Sequence, residues 1–382
     1  MKTLGRFLEY WRTTHARDRE LVEAMVRPEY RSPGTDLDQA LEDWPGVHYW
    51  ATGKDDGRLV LIRTIGEQGR ERWWLHVGLF LLTFVTIWMG GALLAGVQTS
   101  AIPHGDLGLR GTGAAMLTWA ERSAGALPFA MALMTILLAH ELGHYFAARR
   151  YGIDASPPYF LPAPIDINFV GTFGAFIRLR TPVIDRRQLL DVGAAGPWAG
   201  FVVAAALLMI GLAQSRVLPP GAHPEGMLVF IGNTPLALGD SMFTWFARAW
   251  VVGDAGTILL DPLAYAGWLG LFVTTLNLLP LGQLDGGHIF YAMAGRWQTV
   301  VAWLTLGGMV VLGALQGPSI WQRWWWLFAA LVLVLGAGRL GHPRLLEGRR
   351  PLPTSRVLYA WSSVLLFVVT FSPFPITILL GS

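Results

Sequence analysis

The chain contains no cysteine. Disulfides are therefore excluded, and so are thiolate ligands: a bound metal would have to be held by His, Asp or Glu. Charge is scarce too. Lys, Arg, Asp and Glu make up 14% of the 382 residues, against roughly 25% in a soluble globular protein. The net charge of +3 is small, and no stretch has the density of Lys and Arg of a nucleic-acid-binding arm. Residues 1–30 lack the apolar core and small-residue cleavage site of a secretory signal, so a cleaved signal peptide is not expected there. They are also too acidic for an ordinary transit peptide. Internal repeats and low-complexity tracts are missing as well.

What is abundant is apolar. Hydrophobic residues form 53% of the chain, and there are 18 tryptophans, a residue enriched at membrane–water interfaces. A stretch of about 20 apolar residues can cross a hydrocarbon core of roughly 30 Å. Such stretches lie near 74–97, 125–148, 189–213 and 262–284, with shorter or weaker ones near 299–316, 322–338 and 357–379. The last three show no chemistry. With residues 1–73 placed in the cytoplasm, seven spans put 24 of the 29 Lys and Arg on the cytoplasmic side, as the positive-inside rule requires. The polar first 73 residues predict an extramembrane region, beginning with a short amphipathic helix and including a strand at 58–64.

Two connections stand out. Residues 151–188 are rich in Pro and Gly and then alternate through Phe169–Leu179, which predicts a strand too apolar for an ordinary loop. Open strand edges are not tolerated in lipid unless protein or water covers them, so this predicts a β-hairpin that dips into the membrane or lies on its cytoplasmic face. Residues 214–261 are too few for a typical inserted domain and contain a predicted helix at about 240–252.

The chemistry concentrates in the second span, at His140-Glu141-Leu142-Gly143-His144. Residues four apart share one helix face, so two imidazole nitrogens can grip one Zn²⁺ at about 2.0–2.1 Å. Glu141 can reach water at the metal without being a ligand and act as general base. Gly143 removes bulk near the metal. Three ionisable residues inside a span are costly and mark a functional site. A catalytic zinc takes three protein ligands and leaves one position open. The favoured third ligand is Asp285, at the inner end of the fourth span, at a depth similar to that of His144. His288, three residues further on, competes for the role. A metal transporter would spread such ligands along a pathway rather than cluster them at one depth. A catalytically dead scaffold would be expected to have lost Glu141 or a ligand.

Three elements together resemble the site-2 protease family of intramembrane zinc metalloproteases, peptidase family M50. They are the His140–His144 segment, Gly196-Pro197-Trp198-Ala199-Gly200, and Asn277 to Gly287, in the order of the family pattern. The resemblance covers about 125–295. It implies Zn²⁺ as cofactor, His140, His144 and Asp285 as its ligands, and Glu141 as catalytic base. It also implies a substrate-binding role for Asn277 and for Gly171, Thr172, Phe173 and Gly174 in the family's membrane-dipping hairpin. The implied reaction is hydrolysis of peptide bonds within or near transmembrane segments, as in regulated intramembrane proteolysis. The implied partners are the lipid bilayer and a transmembrane substrate, an anti-sigma factor or similar membrane-anchored regulator among them, with no nucleic acid. Neither a PDZ domain nor a CBS pair fits, and the N-terminal region and extra C-terminal spans look more like the chloroplast and cyanobacterial-type branch.

The expected fold is an all-α polytopic membrane protein of about seven transmembrane helices, with a membrane-associated β-hairpin between the second and third. Its expected parts are a cytoplasmic N-terminal region (1–73), a metalloprotease core (74–295) and C-terminal transmembrane helices (296–382). The expected location is a bacterial inner membrane, with the N-terminus in the cytoplasm.

Overall fold

The structure is a computed structural model. It describes residues 4–16, 19–32, 36–51, 53–64, 71–96, 120–166, 168, 170–180, 183, 185–219, 224–232, 234–253, 256–316, 323–335, 340–342, 345 and 351–379. Phe169, part of the expected strand, lies outside them. The chain divides into two compact units, Met1–Arg72 with Arg344–Pro351, and Trp73–Pro343 with Leu352–Ser382.

The first unit is a four-stranded antiparallel sheet, built from β1 (Leu8–Ala16), β2 (Arg19–Val26), β3 (Val47–Trp50) and β4 (Arg58–Thr64) in the order β1-β2-β4-β3. One helix, α1 (Asp36–Glu42), buries Leu37 and Leu41 in the same core as Phe7, Leu8 and Val22. The expected strand at 58–64 is present. The expected N-terminal amphipathic helix is not: that stretch is a hairpin of β1 and β2. The period decides it, because Val22, Ala24 and Val26 are buried in strict alternation, which is the side-chain repeat of a strand. β4 has apolar residues on both faces, Leu59 and Leu61 on one and Val60 and Ile62 on the other, and all four are buried.

The second unit is mostly helical. Its helices are α2 (Trp73–Leu94), α3 (Leu127–Arg150), α4 (Arg186–Gln214), α5 (Met242–Val251), α6 (Pro262–Leu278), α7 (Asp285–Ala294), α8 (Trp297–Leu315), α9 (Trp324–Leu335) and α10 (Thr354–Thr370). Among the described residues, four helices are long and apolar enough to cross a membrane: Trp73–Leu94, Ala120–Arg150, Arg186–Gln214 and Trp297–Leu315. α6 has 17 residues, α9 has 12 and α10 has 17.

The expectation of an all-α chain is corrected by the strands. Besides the first unit's sheet, β5 (Tyr159–Pro162) pairs antiparallel with β6 (Thr172–Phe176). A five-stranded sheet, in the order β11-β9-β8-β10-β7, joins β7 (Arg216–Val217), β8 (Gly226–Ile231), β9 (Thr234–Leu238), β10 (Thr257–Leu259) and β11 (Ile376–Ile378). Its apolar face, with Met227, Val229, Leu236 and Ile258, enters the core that holds Phe129, Tyr265 and Trp268. The connection 214–261 thus does carry a small sheet, together with the predicted helix α5. That helix begins with a reciprocal capping box of Ser241 and Thr244.

Two expected spans are shorter than their apolar stretches. The stretch 357–379 is helical only to Thr370, because prolines at 373 and 375 disfavour helix in the residues before them, and the chain continues into β11. The stretch 262–284 is helical only to Leu278. Pro280 forces Leu279 into an extended conformation, with φ −58° and ψ 134°, and Gly282 takes a positive φ of 52°. Asp285 therefore does not end the fourth span. It begins a separate helix, α7.

α4 packs along both α3 and α6, and close approach makes this possible. A Cβ on Gly267 of α6 would lie 2.5 Å from the Leu208 backbone nitrogen and 2.8 Å from the Ala204 carbonyl oxygen of α4. Alanine is the better helix former by about 1 kcal/mol. Overpacking costs about 1–3 kcal/mol, and obstacles made of backbone favour the upper end. Gly267→Ala is therefore expected to lower the melting temperature in detergent, whereas Gly78→Ala, where a Cβ meets nothing within 4 Å, is expected to leave it unchanged or raise it.

Candidate metal centre

α3 carries His140, Glu141 and His144, all buried. The chain beyond α6 returns Asp285 to them in the first turn of α7. Oδ2 of Asp285 lies 3.3 Å from Nε2 of His140 and 3.3 Å from Nε2 of His144. The two Nε2 atoms are 3.1 Å apart. These three donor atoms form a nearly equilateral triangle. Two ligands held about 2.05 Å from a tetrahedral ion are roughly 3.3 Å apart, so the triangle has the size of one face of such a site.

The surroundings aim the candidate ligands. Nδ1 of His144 donates to the Val192 carbonyl of α4 at 2.7 Å, which leaves its Nε2 lone pair turned toward the triangle. A hydrogen bond of this kind from the distal ring nitrogen fixes tautomer and orientation. The Gly-Pro element now has a physical account. A Cβ on Gly196 would lie 2.1 Å from Nε2 of His144, and one on Gly200 would lie 3.1 Å from Nδ1 of His140. Both glycines leave room for a ligand ring. Gly143 plays a different part from the one expected: its missing Cβ would meet the Ala195 carbonyl at 2.5 Å, so it serves the crossing of α3 and α4 rather than space at the metal.

Glu141 and the triangle share a cavity of about 250 Å³, lined also by Asn277, His288 and, from the strand side, Ala175, Phe176 and Ile177. The Ile177 backbone lies beside the Glu141 carboxylate. Asn277 places Nδ2 3.4 Å from Nε2 of His140. Gly171, Thr172, Phe173 and Gly174 are not in that lining. Gly171 packs on α2, its carbonyl accepting from Thr86 Oγ1 at 2.6 Å, and Thr172 bonds within the hairpin to the Leu161 carbonyl. His288 stands outside the ligand triangle, with its Nδ1 2.8 Å from Nε2 of His342.

The C-terminal helices, expected to carry no chemistry, brace the centre. Arg356 of α10 lies 2.7 Å from the carboxylate of Asp191, the residue before Val192, and the Tyr151 hydroxyl donates to the same carboxylate. Trp198 Nε1 donates to Ser363 of α10, and Thr275 of α6 donates to Thr370. Apart from Trp198, sequence reasoning missed these residues, along with Gln298 and His342. An uncharged Gln in an apolar helix was the one visible signal.

Comparison with known proteins agrees with the geometry. The model of peptidase family M50 matches residues 128–315, from the start of α3 to the end of α8. The chain belongs to peptidase family M50. It is 32% identical over 269 residues to a rice (Oryza sativa subsp. japonica) protein described as probable zinc metalloprotease EGY1, chloroplastic, covering 68% of this chain and 45% of that protein. It is 35% identical over 196 residues to the Arabidopsis thaliana protein of the same description, covering 50% and 34%. With a rice (subsp. indica) probable zinc metalloprotease EGY2, chloroplastic, it shares 37% over 171 residues, covering 44% and 29%. The chain thus spans less than half the length of these relatives. No solved structure matches.

Gly196→Ala is expected to push the His144 ring aside and weaken divalent-metal binding about 10-fold or more. Competition with a chelator measures the affinity, and circular dichroism should show helix content unchanged.

Proposed function

We propose that this chain is a zinc metalloendopeptidase of the site-2 type, which hydrolyses peptide bonds within or near transmembrane segments of membrane proteins. The observation that carries this reading is the triangle of His140 Nε2, His144 Nε2 and Asp285 Oδ2, with sides of 3.1–3.3 Å, beside Glu141 in one cavity. Two imidazoles and one carboxylate are a donor set that catalytic zinc takes. The space left by Gly196 and Gly200 for the two rings supports the same assignment, as do the relatives described as zinc metalloproteases.

When bound, zinc supplies Lewis-acid polarisation and makes water a nucleophile at neutral pH. Glu141 takes a proton from the attacking water on its carboxylate and returns it to the nitrogen of the leaving amine. Ile177 lines the same cavity, its backbone beside that carboxylate. Asn277 presents its amide to the substrate backbone.

A peptide bond inside a helix is shielded by its own turns, so the substrate has to unwind locally. β6 has β5 on one side, and among the described residues no strand pairs with its other edge. An unwound stretch adding there by strand pairing would run past Ala175, Phe176 and Ile177 toward the zinc. In this reading Gly171, Thr172, Phe173 and Gly174 shape the hairpin that receives the substrate, and the hairpin lies at membrane depth. α2, α3, α4, α6, α8, α9 and α10 supply the seven spans, with residues 1–73 in the cytoplasm. The chain is a multi-pass membrane protein. Its relatives are described as chloroplastic and lend no support to a bacterial inner membrane.

Two measurements test the assignment. Glu141→Gln is expected to retain zinc and lose peptidase activity by about 10²–10⁴-fold; an active Glu141→Gln enzyme would sink the reading. Metal analysis is expected to find about one zinc per chain in the wild type and in His288→Ala, and little in Asp285→Ala, as the triangle requires.

A further inference from the structure

Two histidines that the proposed reaction leaves unused meet beside the metal cavity. His288 sits in the first turn of α7 and lines the cavity with His140, Glu141 and His144. Its Nδ1 is 2.8 Å from Nε2 of His342, whose ring also stacks on Tyr291 with centroids 4.5 Å apart. His342 lies beyond the residues that the family model matches.

The short segment 340–342 is tied to the loop that delivers Asp285. Gln298, with no exposed surface, donates to the carbonyls of Pro280 at 3.2 Å and Leu340 at 3.1 Å, and accepts from the His342 backbone N–H at 3.0 Å. Gly282 N–H donates to the Leu340 carbonyl at 3.0 Å. The Leu340 side chain is buried with Leu279 and Leu281 of the same loop. On the other side, a Cβ on Gly193 would lie 3.0 Å from the His288 Cβ, so α4 backs the ring. Both ends of the imidazole pair are therefore held by packing and hydrogen bonds rather than left to rotate.

A neutral imidazole has one donor nitrogen and one acceptor nitrogen. With Nδ1 of His288 engaged by His342, the ring has Nε2 left for the cavity, and no described residue bonds to it. We propose that His342 donates from Nε2 to Nδ1 of His288 and so holds His288 in its Nε2–H tautomer, which donates to the carbonyl oxygen of the peptide under attack. A fixed donor aimed where negative charge develops stabilises the transition state more than the ground state. His288 is then a catalytic residue that touches substrate, and His342 a positioning residue that acts through it. This rests on the peptidase reading of the site.

The test uses the full chain in detergent micelles and an internally quenched apolar peptide as substrate. Chelator competition measures zinc affinity, and nitrogen-15 NMR of the histidine rings in metal-free protein reads the tautomer. His288→Ala is expected to bind zinc as the wild type does and to lose about 100-fold in kcat, with KM little changed. His342→Ala is expected to lose about 10-fold in kcat and to convert His288 from the Nε2–H form to a tautomer mixture. His342→Gln, whose amide restores a donor, should recover most of the loss, which separates positioning from a general effect on folding. The double variant should be no slower than His288→Ala, because the two residues act as one unit. Loss of zinc in His288→Ala would make His288 a ligand and overturn the proposal. So would wild-type kcat in either single variant, additive losses in the double variant, or an Nδ1–H tautomer in the wild type. Glu141→Gln is the control: inactive beside a fully active His288→Ala, it leaves the peptidase reading standing and removes only this inference. An active Glu141→Gln removes both.

Discussion

The centre depends on how closely α3 and α4 approach. At their crossing, Gly143 faces the Ala195 carbonyl, and Gly196 leaves the His144 ring its space. This contact brings the Val192 carbonyl to 2.7 Å from His144 Nδ1, so the same contact that packs the helices also aims a proposed metal ligand. Inside a membrane such packing has little help from the hydrophobic effect, because lipid tails are as apolar as leucine. Small residues that let backbones touch take its place, and Gly211 and Gly267 repeat the device between α4 and α6.

The rest of the site follows from a break in helical structure. α6 would carry the chain past the metal if it continued. Pro280 ends it, Gly282 turns the loop, and Asp285 restarts a helix with its carboxylate facing both histidines. A non-helical loop at this depth must satisfy its own backbone groups. Gln298 does part of this by donating to the Pro280 carbonyl, and Gly282 by donating to the Leu340 carbonyl. The C-terminal helices are therefore part of the machinery. They supply Gln298 and Arg356, and the segment 340–342 between them supplies His342, to the loop before Asp285, to α4 and to α7.

The sequence made the local part of this legible and little of the rest. His140 and His144 could be paired because i and i+4 share a face wherever the helix lies. Asp285 could be nominated from its neighbours, but its setting was misread: the apolar run 262–284 hides a turn that only Pro280 and Gly282 mark. Charge and length alone made β1 and β2 look like an amphipathic helix, although the alternation of Val22, Ala24 and Val26 was there to be counted. Gln298 and His342 stayed invisible for a different reason. They act across 18 and 54 residues of chain, on Pro280 and His288, and no local pattern encodes a partner at that distance.

The hairpin beside the cavity raises the last energetic question, which concerns the substrate. An apolar helix that unwinds near the metal releases backbone N–H and C=O groups from their i→i−4 bonds. Each group left unpaired in apolar surroundings costs several kcal/mol, so a handful of them would outweigh what side-chain contacts in a cavity of about 250 Å³ return. An unwound segment is therefore tolerable only where another backbone or water takes up those bonds. Among the described residues the outer edge of β6 pairs with no strand, and the Ile177 backbone lies beside the carboxylate of Glu141, the proposed base. Strand pairing at this edge would offset the cost of unwinding and set the distance from the paired backbone to Glu141. In the proposed enzyme, specificity would then follow how readily a substrate helix unwinds as well as its side chains.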